Sequence, residues 1–278
     1  MDITLLQYIY SIISGVLVGF SLGLIGGGGS ILAIPLLIYF VGIRDPHLVI
    51  GTTALAVGIN ALINVYSHLR KKNVNFKIGT AFTVFGVIGV LIGTTLGLIT
   101  PGGELLFLFS FLMIAIGLYM FLTKCRTCKN FDALPKDDPP DPPDDPVHFS
   151  NIRKKFGQFK VYIFGLLAGF ASGYFGIGGG FLIVPALLYS ADITMNIAVG
   201  TSLLSVGTFG LVTALRYGIA GEVLVPIALL YVLGGIFGGF AGARVSTSMK
   251  RSTLRRFFSI IIVVVGIYMA IESYSAAI

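Results

Sequence analysis

The chain alternates between long uncharged apolar blocks and short polar or charged segments. A helix needs about 20 apolar residues to cross a hydrocarbon layer of roughly 30 Å, and several blocks reach that length. A membrane β-barrel would instead show segments of about 10 residues with alternating polarity, which the sequence lacks. The pattern therefore predicts an all-α polytopic membrane protein. The apolar blocks cover residues 5–43, 48–66, 78–103, 105–123, 161–191, 193–215, 223–243 and 257–271.

The two halves of the chain repeat each other. Residues 19–35 align with residues 169–185, so that the stretch "GLIGGGGSILAIPLLI" recurs as "GYFGIGGGFLIVPALL". The segment between the halves is rich in Pro and Asp, a composition typical of an extended, solvated linker. We therefore predict three parts, which are a first transmembrane repeat (1–123), a linker (124–160) and a second transmembrane repeat (161–278).

The glycine-rich stretches interrupt apolar blocks that are too long for one crossing. As a single straight helix, residues 5–41 would be about 55 Å long. The block must therefore fold into a hairpin at its glycines. If the hairpin returns to its starting side, each repeat consists of a glycine-broken helical hairpin plus three transmembrane helices. The number of net crossings per repeat is then odd, which predicts that the second repeat is inverted relative to the first.

The distribution of basic loops agrees with inversion. In the first repeat the basic loop "HLRKKNVNFK" follows the second apolar block, whereas in the second repeat the basic loop "STSMKRSTLRRF" follows the third. The positive-inside rule then places both loops and the linker in the cytoplasm, with both termini outside the plasma membrane. Inverted repeats with interrupted helices are typical of secondary transporters that work by alternating access.

Composition and charge fit this class. The chain is 55% hydrophobic and 11% charged, with a mean hydropathy of +0.94. Its net charge of +7 lies mainly in loops and linker, so it reflects topology and indicates no nucleic-acid partner. Cys125 and Cys128 could form a redox pair or half a zinc site, but no second such pair accompanies them, so we expect ordinary thiols. We expect no cofactor and no metal site, and the sequence leaves a homo-oligomer open.

The glycine breaks are the first candidate for a substrate site. Glycine permits tight turns, and a helix that restarts after the break has N–H groups without intrahelical partners. Such an N-terminus carries partial positive charge and favours an anion. The alternative is that these glycines only allow close helix packing, which we expect for the spaced ladders Gly89, Gly93, Gly97 and Gly234, Gly238, Gly242. The candidate residues in the breaks are Gly26, Gly27, Gly28, Gly29, Ser30, Gly176, Gly178, Gly179 and Gly180.

Polar residues at helical spacing form a second candidate. Neutral donors within a span can ligate a solute without the cost of a buried charge, although they can equally serve hydrogen bonds between helices. The stripe consists of Thr52, Thr53, Asn60 and Asn64 in the first repeat and of Thr201, Ser202 and Ser205 in the second. Four ionisable residues near span ends could attract an anion or relay a proton, or could simply mark helix ends, and these are His68, Arg70, Arg216 and Arg244.

The absence of acidic residues within the spans disfavours a cation pathway, because cation and proton pumps usually place carboxylates at depth. The spans also lack a nucleophile with a partnered base, so we expect no enzymatic activity. A metal permease would lack ligands, since no cluster of His, Cys and Asp lies in the spans. The sequence therefore favours a small anionic substrate.

The motif "GxxxGxxGxGGGxxxxPxLL" followed by "VGTS" resembles the TauE/SafE family of sulfite and sulfonate exporters. The second repeat carries the better match, and the resemblance covers nearly the whole chain outside residues 124–160. It implies transport of a small sulfur-containing anion, sulfite or an organosulfonate such as sulfoacetate. We predict a secondary transporter of this kind, with export as the expected direction. The alternative is a permease for another small solute, a carboxylate or a metal ion.

Overall fold

A computed structural model describes residues 4–25, 27–70, 74–122, 150–191, 193, 195–246 and 251–277. These parts of the chain are helical apart from short connections and contain no strand. In chain order the helices are α1 (Leu5–Ile25), a 3-10 helix (Gly27–Leu32), α2 (Ala33–Pro35), a π-helix (Leu36–Phe40), α3 (Pro46–Arg70), α4 (Phe76–Ile99), α5 (Gly102–Leu122), α6 (Ser150–Phe175), α7 (Gly180–Ala191), α8 (Met195–Ile219), α9 (Val225–Ser246) and α10 (Arg251–Ala277).

Six of the described helices are long and apolar enough to cross a membrane. They lie in α1, α3, α4, α5, α8 and α9, and shorter apolar helices accompany them. Large apolar side chains such as Phe111 and Phe237 are more than two-thirds exposed on the outside of the helix bundle, which suits contact with lipid. The predicted class, an all-α polytopic membrane protein, is confirmed.

Local sequence explains where the long helices begin. The first residue of α3 is Pro46, a position where a missing N–H costs nothing, and the preceding Asp45 accepts a bond from the N–H of His47 at 2.9 Å. Asn75 caps α4 by accepting a bond from the N–H of Ile78 at 3.2 Å. Turn residues and caps thus divide the apolar sequence into separate spans.

Each half of the chain contains a helical hairpin followed by three helices, as the sequence predicts. In the second half α7 folds back along α6, because the ring of Tyr189 lies 5.4 Å from that of Phe164 and 5.5 Å from the ammonium group of Lys160. In the first half Phe40 returns to Tyr10, with ring centroids 4.7 Å apart. Both hairpins therefore return toward the level at which they begin.

The second hairpin starts earlier than the sequence suggests. Helix α6 begins at Ser150, within the predicted linker 124–160. Residues 123–149, with Cys125 and Cys128, lie outside the described residues. The expectations about the linker and these thiols therefore stay predictions.

The first helix of each half packs against a helix of the other half. Helix α1 packs along α9, and its counterpart α6 packs along α4. The glycine ladders form these contacts, since a Cβ added at Gly93 would overlap the carbonyl oxygen of Phe170, and one added at Gly238 would overlap that of Val16. Only glycine lets the backbones approach so closely. The prediction that the spaced ladders serve packing is confirmed for these positions.

Helices α3 and α8, which occupy equivalent places in the two halves, pack antiparallel at the centre. Near the start of α3, a Cβ at Gly51 would lie 2.9 Å from Cβ of Tyr217, close to the end of α8. Near the end of α3, Leu62 faces Gly207 in the middle of α8, where an added Cβ would lie 2.7 Å from Cγ of the leucine. The residue numbers thus run in opposite directions along the contact.

Helices α5 and α10 form a second antiparallel pair of equivalent helices. A Cβ at Gly117 in the later part of α5 would lie 3.2 Å from the carbonyl oxygen of Ser259, early in α10. A Cβ at Gly266, later in α10, would lie 3.3 Å from the carbonyl oxygen of Ser110, in the earlier part of α5. Equivalent helices therefore point in opposite directions in both pairs.

Candidate functional site

The second glycine break is a tight turn in the middle of the helix bundle. Gly176, Gly178 and Gly179 have positive φ values of 65°, 66° and 66°, a conformation that other residues rarely adopt. A Cβ added at Gly178 would lie 3.2 Å from Cγ1 of Val57 and 3.1 Å from Cγ1 of Val206. These valines belong to the central parts of α3 and α8. The turn between α6 and α7 is therefore held between the two central helices.

The turn presents the N-terminus of α7 inside the protein. The carbonyl oxygen of Gly179 accepts bonds from the N–H groups of Leu182 and Ile183, both at 2.9 Å. These are the first bonds of the new helix, so the N–H groups of Gly180 and Phe181 precede its hydrogen-bond ladder. Both residues are buried. A buried helix start of this kind offers donors and partial positive charge to an anion.

Two hydroxyl groups lie beside this turn. The Oγ1 atom of Thr53 donates to the carbonyl oxygen of Ile50 at 3.0 Å and lies 3.5 Å from that of Gly176. On the other side, Oγ of Ser172 lies 3.3 Å from the position that a Cβ at Gly179 would occupy. Ser172 is fully buried, and its hydroxyl has no hydrogen-bond partner among the described residues.

Sequence reasoning selected Thr53 but missed Ser172. The spacing of polar residues along α3 and α8 led to the first, whereas Ser172 is an isolated hydroxyl in the apolar stretch before the break. Its position one helical turn before Gly176 was the available signal, because that turn is where α6 meets the restarted chain.

The first glycine break differs from the second. Residues Gly27–Leu32, which include Gly27, Gly28, Gly29 and Ser30, form a 3-10 helix, and Gly26 lies outside the described residues. A 3-10 helix uses its own N–H groups in bonds three residues apart, so fewer donors are left for a solute. Ser30 is fully buried. The chain therefore becomes helical again after both breaks, but the described part of the first break lacks the positive-φ turn of the second.

Thr52 and Thr201 connect the repeats at equivalent positions. The Oγ1 atom of Thr52 accepts a bond from the N–H of Leu224, just before α9, at 3.0 Å. The Oγ1 atom of Thr201 accepts one from the N–H of Asn75, just before α4, also at 3.0 Å. Each threonine thus satisfies an otherwise unpaired backbone donor at the start of a helix in the opposite repeat, α9 for Thr52 and α4 for Thr201. Their hydroxyls have a structural role in this conformation.

The remaining members of the polar stripe make mostly local contacts. Ser202 donates to the carbonyl oxygen of Val199 at 2.8 Å, and Ser205 shares a 2.9 Å hydrogen bond with Thr83 of α4. Asn64 donates to the carbonyl oxygen of Asn60 at 2.9 Å.

Asn60 itself occupies the space opposite a glycine. A Cβ at Gly235 would lie 2.8 Å from Cγ of this asparagine, which is 2% exposed, and its Oδ1 atom has no partner among the described residues. In the other repeat Phe209 fills the equivalent space opposite Gly86. The two halves are therefore chemically different at this position.

The basic candidates lie at helix ends. The Nη2 atom of Arg70 donates to the hydroxyl of Tyr66 at 2.6 Å, and that of Arg216 donates to Thr95 at 2.9 Å. His68 and Arg244 belong to the last turns of α3 and α9. The contacts of Arg70 and Arg216 join them to interfacial neighbours, whereas Thr53 and the glycines of the second break come together at the centre.

Comparison with known proteins agrees with this architecture. A family model described as "Sulfite exporter TauE/SafE" matches residues 11–269. A probable membrane transporter protein of Xylella fastidiosa (strain 9a5c) is 40% identical over 275 residues, covering 98% of both chains. A probable membrane transporter protein of Methanocaldococcus jannaschii is 29% identical and covers 91% of this chain and 93% of its own. No solved structure matches the chain significantly. The protein is a membrane transporter that belongs to the TauE/SafE family.

Proposed function

We propose that the protein is a secondary transporter for a small sulfur oxyanion, sulfite or an organosulfonate such as sulfoacetate, which it moves outward across the plasma membrane. The observation that carries this proposal is the buried start of α7 at the second glycine turn. The family's description as a sulfite exporter supports both the substrate class and the direction.

The turn suits an anion for electrostatic reasons. The N–H groups at the start of α7 carry partial positive charge, and an unpaired donor in a membrane interior costs several kcal/mol unless it meets protein, water or a solute. The residues that surround the turn, Val57, Val206, Thr53 and Ser172, include no carboxylate that would repel an anion. Anion binding would therefore satisfy the N–H groups at the start of α7, which have no intrahelical partner.

The helix directions support inverted repeats and alternating access. Because α3 opposes α8 and α5 opposes α10, a two-fold axis in the membrane plane would relate the halves. The positive-inside rule supports the same orientation, because Arg70, Lys77, Arg244 and Arg251 lie at helix ends that would face the cytoplasm, against Arg44 and Arg216 on the opposite side. Both termini would then lie outside and the linker inside. Rocking of one repeat against the other would expose the central turn to each side in turn.

Flux measurements in proteoliposomes test this proposal. Vesicles that contain purified protein and an excess of unlabelled sulfite should accumulate external ³⁵S-sulfite by counterflow, and sulfoacetate should compete. Acetate serves as the competitor that distinguishes a carboxylate permease. Protein-free vesicles control for passive leakage of the protonated species. A protein that exchanges acetate, but neither sulfite nor sulfoacetate, would contradict the proposed substrate class.

A further inference from the structure

The second glycine turn has a hydroxyl donor that neither the sequence motif nor the family description assigns. We propose that Ser172 is a ligand of the transported oxyanion, acting together with the N–H groups at the start of α7. This inference rests on the proposed function. It deepens that function by identifying which repeat holds the anion and through which side chain.

The buried hydroxyl of Ser172 needs a physical explanation. Ser172 is fully buried, and its Oγ atom has no hydrogen-bond partner among the described residues. Burial of an unpaired hydroxyl opposes folding, because the group loses its bonds to water and gains none. Packing at this position needs only a small residue, since a Cβ at Gly179 would lie 2.9 Å from Cβ of Ser172. Alanine would meet that need, so packing does not explain the hydroxyl.

Ser172 and the start of α7 lie close together. Cβ and Oγ of Ser172 lie 2.9 and 3.3 Å from the position of an added Cβ at Gly179, so the side chain borders the turn. Gly180, the next residue, begins α7. A hydroxyl from α6 and N–H groups from α7 therefore approach the same small region from two helices. An anion with several oxygens around one central atom can accept from both sets at once.

The two repeats differ at the position of Ser172. In the alignment of residues 19–35 with 169–185, the position of Ser172 corresponds to Leu22, which is 5% exposed. The first repeat also has a buried, unpaired hydroxyl at Ser21, but that residue aligns with Ala171 and so lies on a different face of its helix, and the first break is a 3-10 helix. The hydroxyl and the positive-φ glycines therefore occur together in the second repeat, and we assign the anion to that repeat.

Ser14 provides a matched control. It lies in α1, is also fully buried, and its hydroxyl likewise has no partner in the described part of the chain. Ser172→Ala and Ser14→Ala therefore remove the same atom from equally buried positions. Neither change should destabilise the protein without anion, since each removes an unpaired polar atom.

The test measures the binding of potassium sulfite to the full-length protein in nanodiscs by titration calorimetry. The melting temperature of each protein is recorded separately, without anion. Ser172→Ala should weaken sulfite binding about 10- to 100-fold, the range for loss of a hydrogen bond to a charged group. Ser14→Ala should leave the Kd unchanged. A wild-type Kd in Ser172→Ala overturns the inference, and so does a lowered melting temperature, because the hydroxyl would then have a structural partner. A wild type that binds no sulfite instead refutes the proposed function itself.

Discussion

Two glycine substitutions separate a binding role from a packing role. Gly178 has a positive φ of 66°, and valine there would be a clear conformational outlier. Replacing glycine by another residue at such a φ costs about 1–2 kcal/mol. The added side-chain atoms would also crowd Val57 and Val206, at a further cost of about 1–3 kcal/mol. The Gly178→Val protein should therefore lose about 2–5 kcal/mol of stability and should relieve the strain by changing the turn, which displaces the N–H groups at the start of α7.

Gly93→Ala provides a comparison with a similar cost but a different mechanism. The new methyl would overlap the carbonyl oxygen of Phe170 and lie 2.9 Å from the backbone nitrogen of Tyr174. Since these are backbone atoms, α4 and α6 must separate, at a cost of about 1–3 kcal/mol or more. The turn itself is untouched, so the folded fraction should still bind sulfite.

The assay combines equilibrium unfolding in detergent with sulfite titration of the folded, monodisperse fraction. We expect both variants to be destabilised, with sulfite binding lost in Gly178→Val and retained in Gly93→Ala. Unchanged sulfite affinity in folded Gly178→Val would remove the glycine turn from the site. In that case the polar stripe with Thr53, Asn60 and Asn64 would become the better candidate.

Three further predictions concern the scaffold. Thr52→Val and Thr201→Val each leave a backbone N–H unpaired, so each should lower the free energy of unfolding by about 1–3 kcal/mol. Serine at either position should restore most of this loss, and equal stability of the valine and threonine proteins would contradict the capping role. With the native cysteines replaced by serine, single cysteines at Gly103 and Ala220 should react with an impermeant maleimide from outside, and those at Arg70 and Phe76 only after permeabilisation. Reaction of the Gly103 and Arg70 positions from the same side would rule out the topology. Deletion of residues 137–146 should preserve sulfite flux at normal expression, and loss of flux would show that the linker regulates transport.

Sequence predicted the architecture well because its signals are local. Length and hydropathy identify the spans, and the excess length of residues 5–41 requires a hairpin. The four-residue spacing of Gly89, Gly93 and Gly97 indicates close packing, and the contact of Gly93 with Phe170 bears this out. Inversion was predicted from parity and charge, and it stays a prediction that the antiparallel helix pairs support.

The site was harder to predict because its residues come together only in three dimensions. Nothing near Thr52 or Thr201 in the sequence indicates that its hydroxyl meets a backbone N–H of the other repeat. The repeated glycines suggested two equal turns, but only the second break shows positive-φ glycines in the described residues, whereas Gly27–Leu32 is helical. Ser172 becomes a candidate only once the hairpin places it beside Gly179.

Locating the anion tests the central claim most directly. Selenite has the same charge and pyramidal shape as sulfite, and selenium gives an anomalous signal in X-ray diffraction. Crystals of the wild-type protein soaked in selenite should show one anomalous peak within hydrogen-bond reach of Ser172 and the N–H groups of Gly180 and Phe181, and excess sulfite should abolish it. A sulfite-sensitive peak elsewhere, at Asn60 or at Arg216 for example, with none at the turn, would contradict the account.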